Sequence, residues 1–135
     1  MWKKITILAF SMTLTGCVSQ SSDSQLSALD SADNTKRIMD ITILATAIEQ
    51  YVAERSTELS EISDTAQEIS SQGADICQYL VPDYLAQLPA DPNLPPYPET
   101  VCPEEYATGY FIIKDGESIV VSAPSAVDAL LEARR

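Results

Sequence analysis

The sequence of 135 residues holds twenty Asp and Glu against eight Lys and Arg, a formal net charge of −12, and contains no histidine. So strong a negative charge argues against nucleic-acid binding, because it repels phosphate backbones. The lack of histidine removes the side chain that most often serves as a general base or metal ligand, and the length fits one small domain.

The first sixteen residues have the order of a secretory signal. Lys3 and Lys4 precede an apolar run from Ile5 to Leu14, and small residues follow. The run is shorter than the roughly 20 apolar residues that a membrane-spanning helix needs. The sequence therefore predicts a signal peptide over residues 1–16, and its removal would leave six basic residues against twenty acidic ones.

The end of this signal contains a cysteine in a distinctive setting, Leu14-Thr15-Gly16-Cys17. These residues resemble the lipobox of bacterial lipoproteins, in which cleavage falls just before the cysteine and its sulfur carries a diacylglycerol. The resemblance implies that a lipid on Cys17 holds the chain at a membrane of the cell envelope. Val18 replaces the aspartate of the inner-membrane retention signal, which favours the outer membrane if the host has one. The alternative is an ordinary signal peptide that happens to contain a cysteine.

A polar segment and then an amphipathic helix follow. Residues 17–32 are rich in Ser, Gln and Asp and are predicted to be a flexible, lipid-anchored tether. A helix is expected to start between Ser31 and Asn34 and to end at Arg55 or Glu58. Its predicted buried face, at helical spacing, consists of Ile38, Ile41, Leu44, Ala45, Ile48, Tyr51 and Val52.

The outer side of this helix is predicted to carry two ion pairs at i,i+4 spacing, Asp33 with Arg37 and Lys36 with Asp40. Met39 and Ile43 lie four residues apart on the far side. We expect a later segment of the chain to cover them, and a contact with a partner protein is the alternative.

The middle of the chain has weaker patterns. Residues 56–74 are predicted to form either a short helix or an irregular loop. Asp75 is expected to cap a short helix that ends near Leu80, with one more turn after Pro82. Five prolines between Pro89 and Pro98 exclude a regular helix or central strand, so residues 89–104 are predicted to be a loop.

The C-terminal third predicts a β-hairpin. Tyr106 to Ile113 is rich in aromatic and β-branched residues, and Ser118 to Ala123 is the expected returning strand. Asp115-Gly116 supplies the positive φ that the connecting turn requires. The C-terminal tail comprises residues 127–135. The segment from Ser125 to Arg135, which includes this tail, is expected to form a short helix or to fray.

Two cysteines remain once Cys17 is assigned to a lipid. An even pair in an exported chain predicts a disulfide between Cys77 and Cys102. Such a bond is worth about 3 kcal/mol in the chain-entropy model. The competing interpretations are two free thiols or a metal site, but no CxxC spacing and no histidine support a metal.

Several segments taken together resemble the globular head of type IV pilins and of the major pseudopilins of type II secretion systems. The matching segments are residues 36–41 with 47–51, residues 80–92, residues 106–110 and residues 121–124. The resemblance covers residues 33–126 and implies an α+β head, in which a long N-terminal helix packs on a small antiparallel sheet. The chain departs from the family at its start: the lipoprotein signal replaces the apolar, filament-forming helix, and no glutamate precedes Glu49.

Pseudopilin heads often bind calcium, so the acidic residues of the C-terminal half are the positions to compare. We find no ligand spacing among them and interpret them as solvated surface, which predicts no metal and no cofactor. The acidic residues compared are Asp91, Glu99, Glu104, Glu105, Asp115 and Glu117.

The predicted function is that of a non-catalytic envelope lipoprotein, an interaction component of a type IV pilus or type II secretion-like system. Its partners would be the membrane, through Cys17, and proteins of such a system, recognised by residues 56–74 and 89–105. The alternative is a divergent minor pilin that enters a filament. Catalysis is not predicted, because no recognisable spacing pairs a nucleophile or two carboxylates.

Overall fold

One long helix packs on a four-stranded antiparallel sheet in the computed structural model, which describes residues 21–95, 101–126 and 131–135. The elements are α1 Ser21–Arg55, β1 Gln67–Ser70, α2 Cys77–Leu80, β2 Ala107–Asp115, β3 Ser118–Ala123 and β4 Leu131–Arg134. The strands follow the order β1-β2-β3-β4 across the sheet. The predicted fold class, α+β with a long N-terminal helix on a small antiparallel sheet, is confirmed.

Helix α1 begins earlier than predicted. It starts at Ser21, so residues 21–32, predicted as a tether, are helical, although most of the side chains from 26 to 32 are exposed. Because the sequence from 21 to 55 contains neither Gly nor Pro, nothing in it interrupts the backbone hydrogen bonds. The end at Arg55 agrees with the prediction, and Ser56 follows with a positive φ of 49°.

The buried side of α1 agrees with the prediction at Ile41, Leu44, Ala45 and Ile48, each at most 2% exposed. The assignment of Ile38 to this side is wrong, because its side chain is 49% exposed. The line that faces the sheet runs through residues 37, 41, 44 and 48, and each further residue turns about 100° around the axis. Residue 38 therefore lies on a flank of the helix, while Arg37 takes a place in the core.

The far side of α1 is not covered as expected. Met39 is 59% and Ile43 is 44% exposed, so the prediction that a later segment packs on them is wrong for the described part of the chain. Between residues 28 and 46 this side carries no charged residue and consists of Ala28, Ser31, Ala32, Thr35, Ile38, Met39, Thr42, Ile43 and Thr46.

Residues 56–74 contain a strand, which neither predicted alternative included. β1 pairs with β2, with Gln67 opposite Ile112 and Ser70 opposite Ala107. Its four residues include Ile69, which is fully buried. A strand this short has no clear periodicity in the sequence, and its partner lies some forty residues further along the chain, so its pairing depends on tertiary structure.

The short helix α2 forms where predicted, but Asp75 does not cap it. Its N-cap is Ile76, whose side chain makes no capping hydrogen bond. The Asp75 carboxylate instead accepts a hydrogen bond of 2.8 Å from the Tyr106 hydroxyl. A strong acceptor within reach of a buried tyrosine competes with the capping role.

The predicted hairpin is present as β2 and β3, and its turn lies one residue later than expected. Asp115 pairs with Ser118, so Gly116 and Glu117 form the connection, and Gly116 has the positive φ, 64°. The expected C-terminal helix is absent from residues 131–135, because Leu131–Arg134 forms β4 on the free edge of β3. Leu131 and Ala133 pack against the core, and residues 127–130 lie outside the described part.

Candidate interaction surface

The predicted lipid site, Cys17, lies outside the described residues, but the geometry that follows it is described. Helix α1 begins four positions after Cys17 and continues without a break into the core of the head. At 1.5 Å per residue its 35 residues extend about 52 Å. A single continuous helix therefore runs from Ser21 into the head. No described helix is long and apolar enough to cross a membrane.

A buried ion pair fixes the Pro-rich loop, the predicted segment 89–104, to α1. The sequence pattern predicted a different partner for the arginine of this pair. The predicted partner of Arg37 is Asp33, but its guanidinium binds both carboxylate oxygens of Asp91, at 2.7 and 3.1 Å. Both side chains are 1% exposed. The bond to Asp91 raises the pKa of Arg37. Burial would raise the pKa of Asp91, but the bonds from Arg37 and from the Asn93 amide hold it below its usual value.

A second polar contact lies beside this pair. Asp40, also buried, binds Lys36 as predicted and accepts a hydrogen bond of 2.6 Å from the Tyr110 hydroxyl of β2. Burial and then the bond to Asp40 raise the pKa of Tyr110. Lys36 also donates to the carbonyl of Ala90, 2.8 Å away, so it joins the helix to the start of the loop. These contacts hold the start of the Pro-rich loop against α1.

The disulfide between Cys77 and Cys102 is confirmed, with a Cα–Cα distance of 5.9 Å. Cys77 is buried in α2, whereas Cys102 is exposed in the loop that leads to β2. Next to it, the Tyr106 hydroxyl accepts a hydrogen bond from the Cys77 amide and donates to Asp75. The loop is thus held at both ends, by Asp91 and by Cys102.

The acidic residues compared for calcium do not come together in the described part of the chain. Asp91 is paired with Arg37, and Asp115 binds Arg134 at 2.8 Å. Glu99 lies outside the described residues. The described residues contain no group of three or more Asp, Glu, Cys or His that could hold a metal ion.

Three half-buried tyrosines gather at the C-terminal end of α1. The ring of Tyr51 lies edge-to-face with Tyr79 of α2, at 5.7 Å between centroids, and with Tyr84, at 5.8 Å. The Tyr79 hydroxyl donates to Glu61 at 2.7 Å, and the Tyr84 hydroxyl donates to Glu54 at 2.8 Å. We call these five residues, Tyr51, Tyr79, Tyr84, Glu54 and Glu61, the tyrosine tip.

Sequence reasoning finds only part of the tyrosine tip. Glu61 lies within the predicted recognition segment 56–74, but the three tyrosines lie outside both predicted segments. The prediction of Tyr51 as core is half correct, since its side chain packs on the core and stays partly exposed. The signal that could reveal the tip is chemical: tyrosine combines an apolar body with a polar end and is common at protein interfaces.

The recesses that the described residues form near the tyrosine tip are small. One of about 200 Å³ lies between Ile43, Thr46, Tyr84 and Leu85, and another of about 270 Å³ lies between α1 and Ile119. Both are below the roughly 300 Å³ at which pockets for small ligands begin. These surfaces suit contact with a protein side chain better than enclosure of a ligand.

No known protein family, curated protein or solved structure matches the chain. The resemblance to pilin heads therefore stays a prediction.

Proposed function

We propose that the protein is a non-catalytic lipoprotein of the bacterial cell envelope, anchored by a lipid on Cys17. Its head, which resembles those of pilins and pseudopilins, would be an interaction component of a type IV pilus or type II secretion-like system. The observation that carries the proposal is the course of α1, which begins four residues after Cys17 and continues to Arg55 in the head. A lipid at one end would leave the other end of the helix directed away from the membrane.

A non-catalytic role is supported by the use that the head makes of its carboxylates. Asp91 binds Arg37, Asp40 binds Tyr110, and Asp75 binds Tyr106. Each of these bonds joins two elements or fixes a loop, so the best-positioned carboxylates already have a structural partner. General acid–base chemistry requires such groups to face a substrate.

The first test is the intact mass of the protein extracted from its native membranes. We expect a mass equal to residues 17–135 plus the acyl chains. The matched variant Cys17→Ala should lose the lipid mass. A native mass without acyl chains on residues 17–135 would refute the lipid anchor.

The second test addresses the partner system. Cross-linking in native membranes, followed by mass spectrometry, should recover pilus or secretion proteins with the wild-type chain. Recovery of the chain within sheared filaments would instead support the divergent minor pilin, the alternative to an accessory lipoprotein. Cross-links confined to unrelated envelope proteins would contradict the link to either system.

A further inference from the structure

The tyrosine tip combines aromatic and acidic groups on a partly exposed surface. Tyr51 lies between the other two rings, with interplanar angles of 69° and 73°, so neighbouring rings stand nearly perpendicular. All three side chains are neither buried nor fully exposed. In such an arrangement the edge of one ring meets the face of the next, and the face of an aromatic ring attracts cations.

Each outer ring holds a carboxylate in place. The hydrogen bond from Tyr79 lowers the pKa of Glu61, and the same bond raises the pKa of Tyr79. The bond to Glu54 likewise raises the pKa of Tyr84. Tyrosine hydroxyls therefore orient both carboxylates beside the rings. A charged hydrogen-bond donor that approaches the rings would meet an acceptor on either side.

These two carboxylates differ from their acidic neighbours. Glu58 is paired with Lys114, Glu49 with Arg135 and Asp83 with Arg55. Within the described part of the chain, Glu54 accepts a hydrogen bond from Tyr84, and Glu61 accepts hydrogen bonds from Tyr79, from Ser60 and from its own backbone amide. Arg55 bonds to the Tyr84 hydroxyl and lies 3.7 Å from Asp83, but no basic side chain of the described residues forms an ion pair with Glu54 or Glu61. The two carboxylates of the tip therefore keep a negative charge that a basic partner could pair with.

We propose that the tyrosine tip is a docking surface for a basic segment of a partner protein, with Arg or Lys side chains lying over the tyrosine rings and bonding to Glu54 and Glu61. The charge of the site and the enrichment of tyrosine and arginine at the centres of protein interfaces both favour this occupant. The inference rests on the proposed function, because a lipid on Cys17 would direct this end of α1 away from the membrane.

The test measures binding of a blocked hexapeptide of alternating Arg and Ala to the native protein in a non-ionic detergent. We expect Glu54→Gln and Glu61→Gln each to weaken binding at least about fivefold. Arg55→Gln should strengthen it, because it removes from beside Tyr84 a charge of the same sign as the peptide. The matched control is Asp30→Asn, which removes the same charge about 36 Å away along α1 and should change binding less than about twofold.

A second pair of variants separates the rings from the charge. Tyr84→Leu keeps an apolar body without the aromatic face and should weaken binding at least about threefold. Tyr84→Phe keeps the aromatic face and should bind more tightly than Tyr84→Leu. Circular dichroism checks that each variant retains its helix, and amide chemical shifts of the wild type should change around Tyr51, Tyr79 and Tyr84.

Three outcomes would overturn the proposal. One is a loss of binding in Glu54→Gln no larger than in Asp30→Asn, which would indicate general charge attraction. Another is equal binding of the peptide with Gln in place of Arg, which would indicate an uncharged partner. The third is a set of shift changes away from the tyrosine tip. Because peptide binding is independent of the mass of the lipidated chain, failure here leaves the lipid anchor standing, and an unlipidated Cys17 leaves the peptide result valid.

Discussion

Arg37 on α1 and Asp91 in the Pro-rich loop, 54 positions apart in the chain, form a bidentate ion pair in which each side chain is 1% exposed. The pair stands in the core beside Tyr110 and next to Gly109, whose backbone approaches Asp91 closely. The ion pair occupies a place in the core that apolar side chains would otherwise fill. Its two hydrogen bonds form only when helix α1 and the loop have this one relative position. The free energy of unfolding should therefore depend strongly on either partner alone.

Asp91→Asn should lower the free energy of unfolding by about 3 kcal/mol or more, because it leaves the Arg37 charge buried without a counter-charge. The double variant Arg37→Met/Asp91→Leu should cost less than the single one, since it removes both charges and keeps apolar volume. Urea denaturation measures both. Glu58→Gln, which breaks the exposed pair with Lys114, is the control and should cost less than about 1 kcal/mol. A double variant much less stable than Asp91→Asn would contradict this account.

The same pair predicts how stability changes with acid. The folded-state pKa of Asp91 lies below its value in the unfolded chain. Its contribution is therefore present above the unfolded pKa, about 4, and is lost as the pH falls through the folded value. Urea denaturation between pH 7 and pH 2 should show a steeper loss for the wild type than for Arg37→Met/Asp91→Leu. Parallel curves for the two proteins would rule out Asp91 as the source.

Gly109 should not tolerate a side chain. Its φ is 75°, and a Cβ would lie 2.9 Å from the Cβ of Asp91 and 3.2 Å from the Cδ1 of Leu94. Gly109→Ala should therefore cost more than the roughly 1–2 kcal/mol of left-handed backbone strain alone. Gly116→Ala is the matched control, because its φ is 64° and no atom lies within 4 Å of the added carbon. Equal losses in the two thermal or urea unfolding curves would show that the contact with Asp91 does not matter.

Removal of the disulfide should destabilise the head by about 3 kcal/mol. The variant Cys77→Ala/Cys102→Ser keeps an apolar group in the buried position and a polar group in the exposed one, so it isolates the covalent constraint. Urea unfolding of the oxidised wild type and of the variant gives the difference. A variant as stable as the wild type would mean that Asp91 alone holds the loop.

The two sides of α1 should respond differently to truncation. Leu44→Ala removes a fully buried side chain and should cost about 2–5 kcal/mol. Met39→Ala removes a side chain that is 59% exposed and should change stability by less than about 0.5 kcal/mol in the isolated protein. Thermal unfolding of the two variants makes the comparison. A large loss in Met39→Ala would show that another part of the chain covers this side.

Much of the architecture is already present in local patterns of the sequence. The apolar line through Ile41, Leu44 and Ile48 specifies a helix with one buried side, because residues at this spacing lie on one face. The alternation around Asp115-Gly116 specifies a hairpin, although the turn lies one residue later. The two cysteines that follow Cys17 specify the disulfide, since few other pairings exist. Composition by itself, through net charge and the absence of histidine, argues against nucleic-acid binding and against the commonest metal sites.

Tertiary structure alone decided the contacts between distant segments. Short strands such as β1 and β4 form because a neighbouring edge offers backbone hydrogen bonds, and four residues carry too little pattern to reveal that edge. Arg37 lies on the apolar line of α1, yet only the folded loop shows that Asp91 neutralises it. The tyrosine tip likewise joins residues 51, 54, 61, 79 and 84, which meet because α2 packs against the end of α1. Local sequence determines which elements form, whereas burial and pairing across the chain determine which side chains meet.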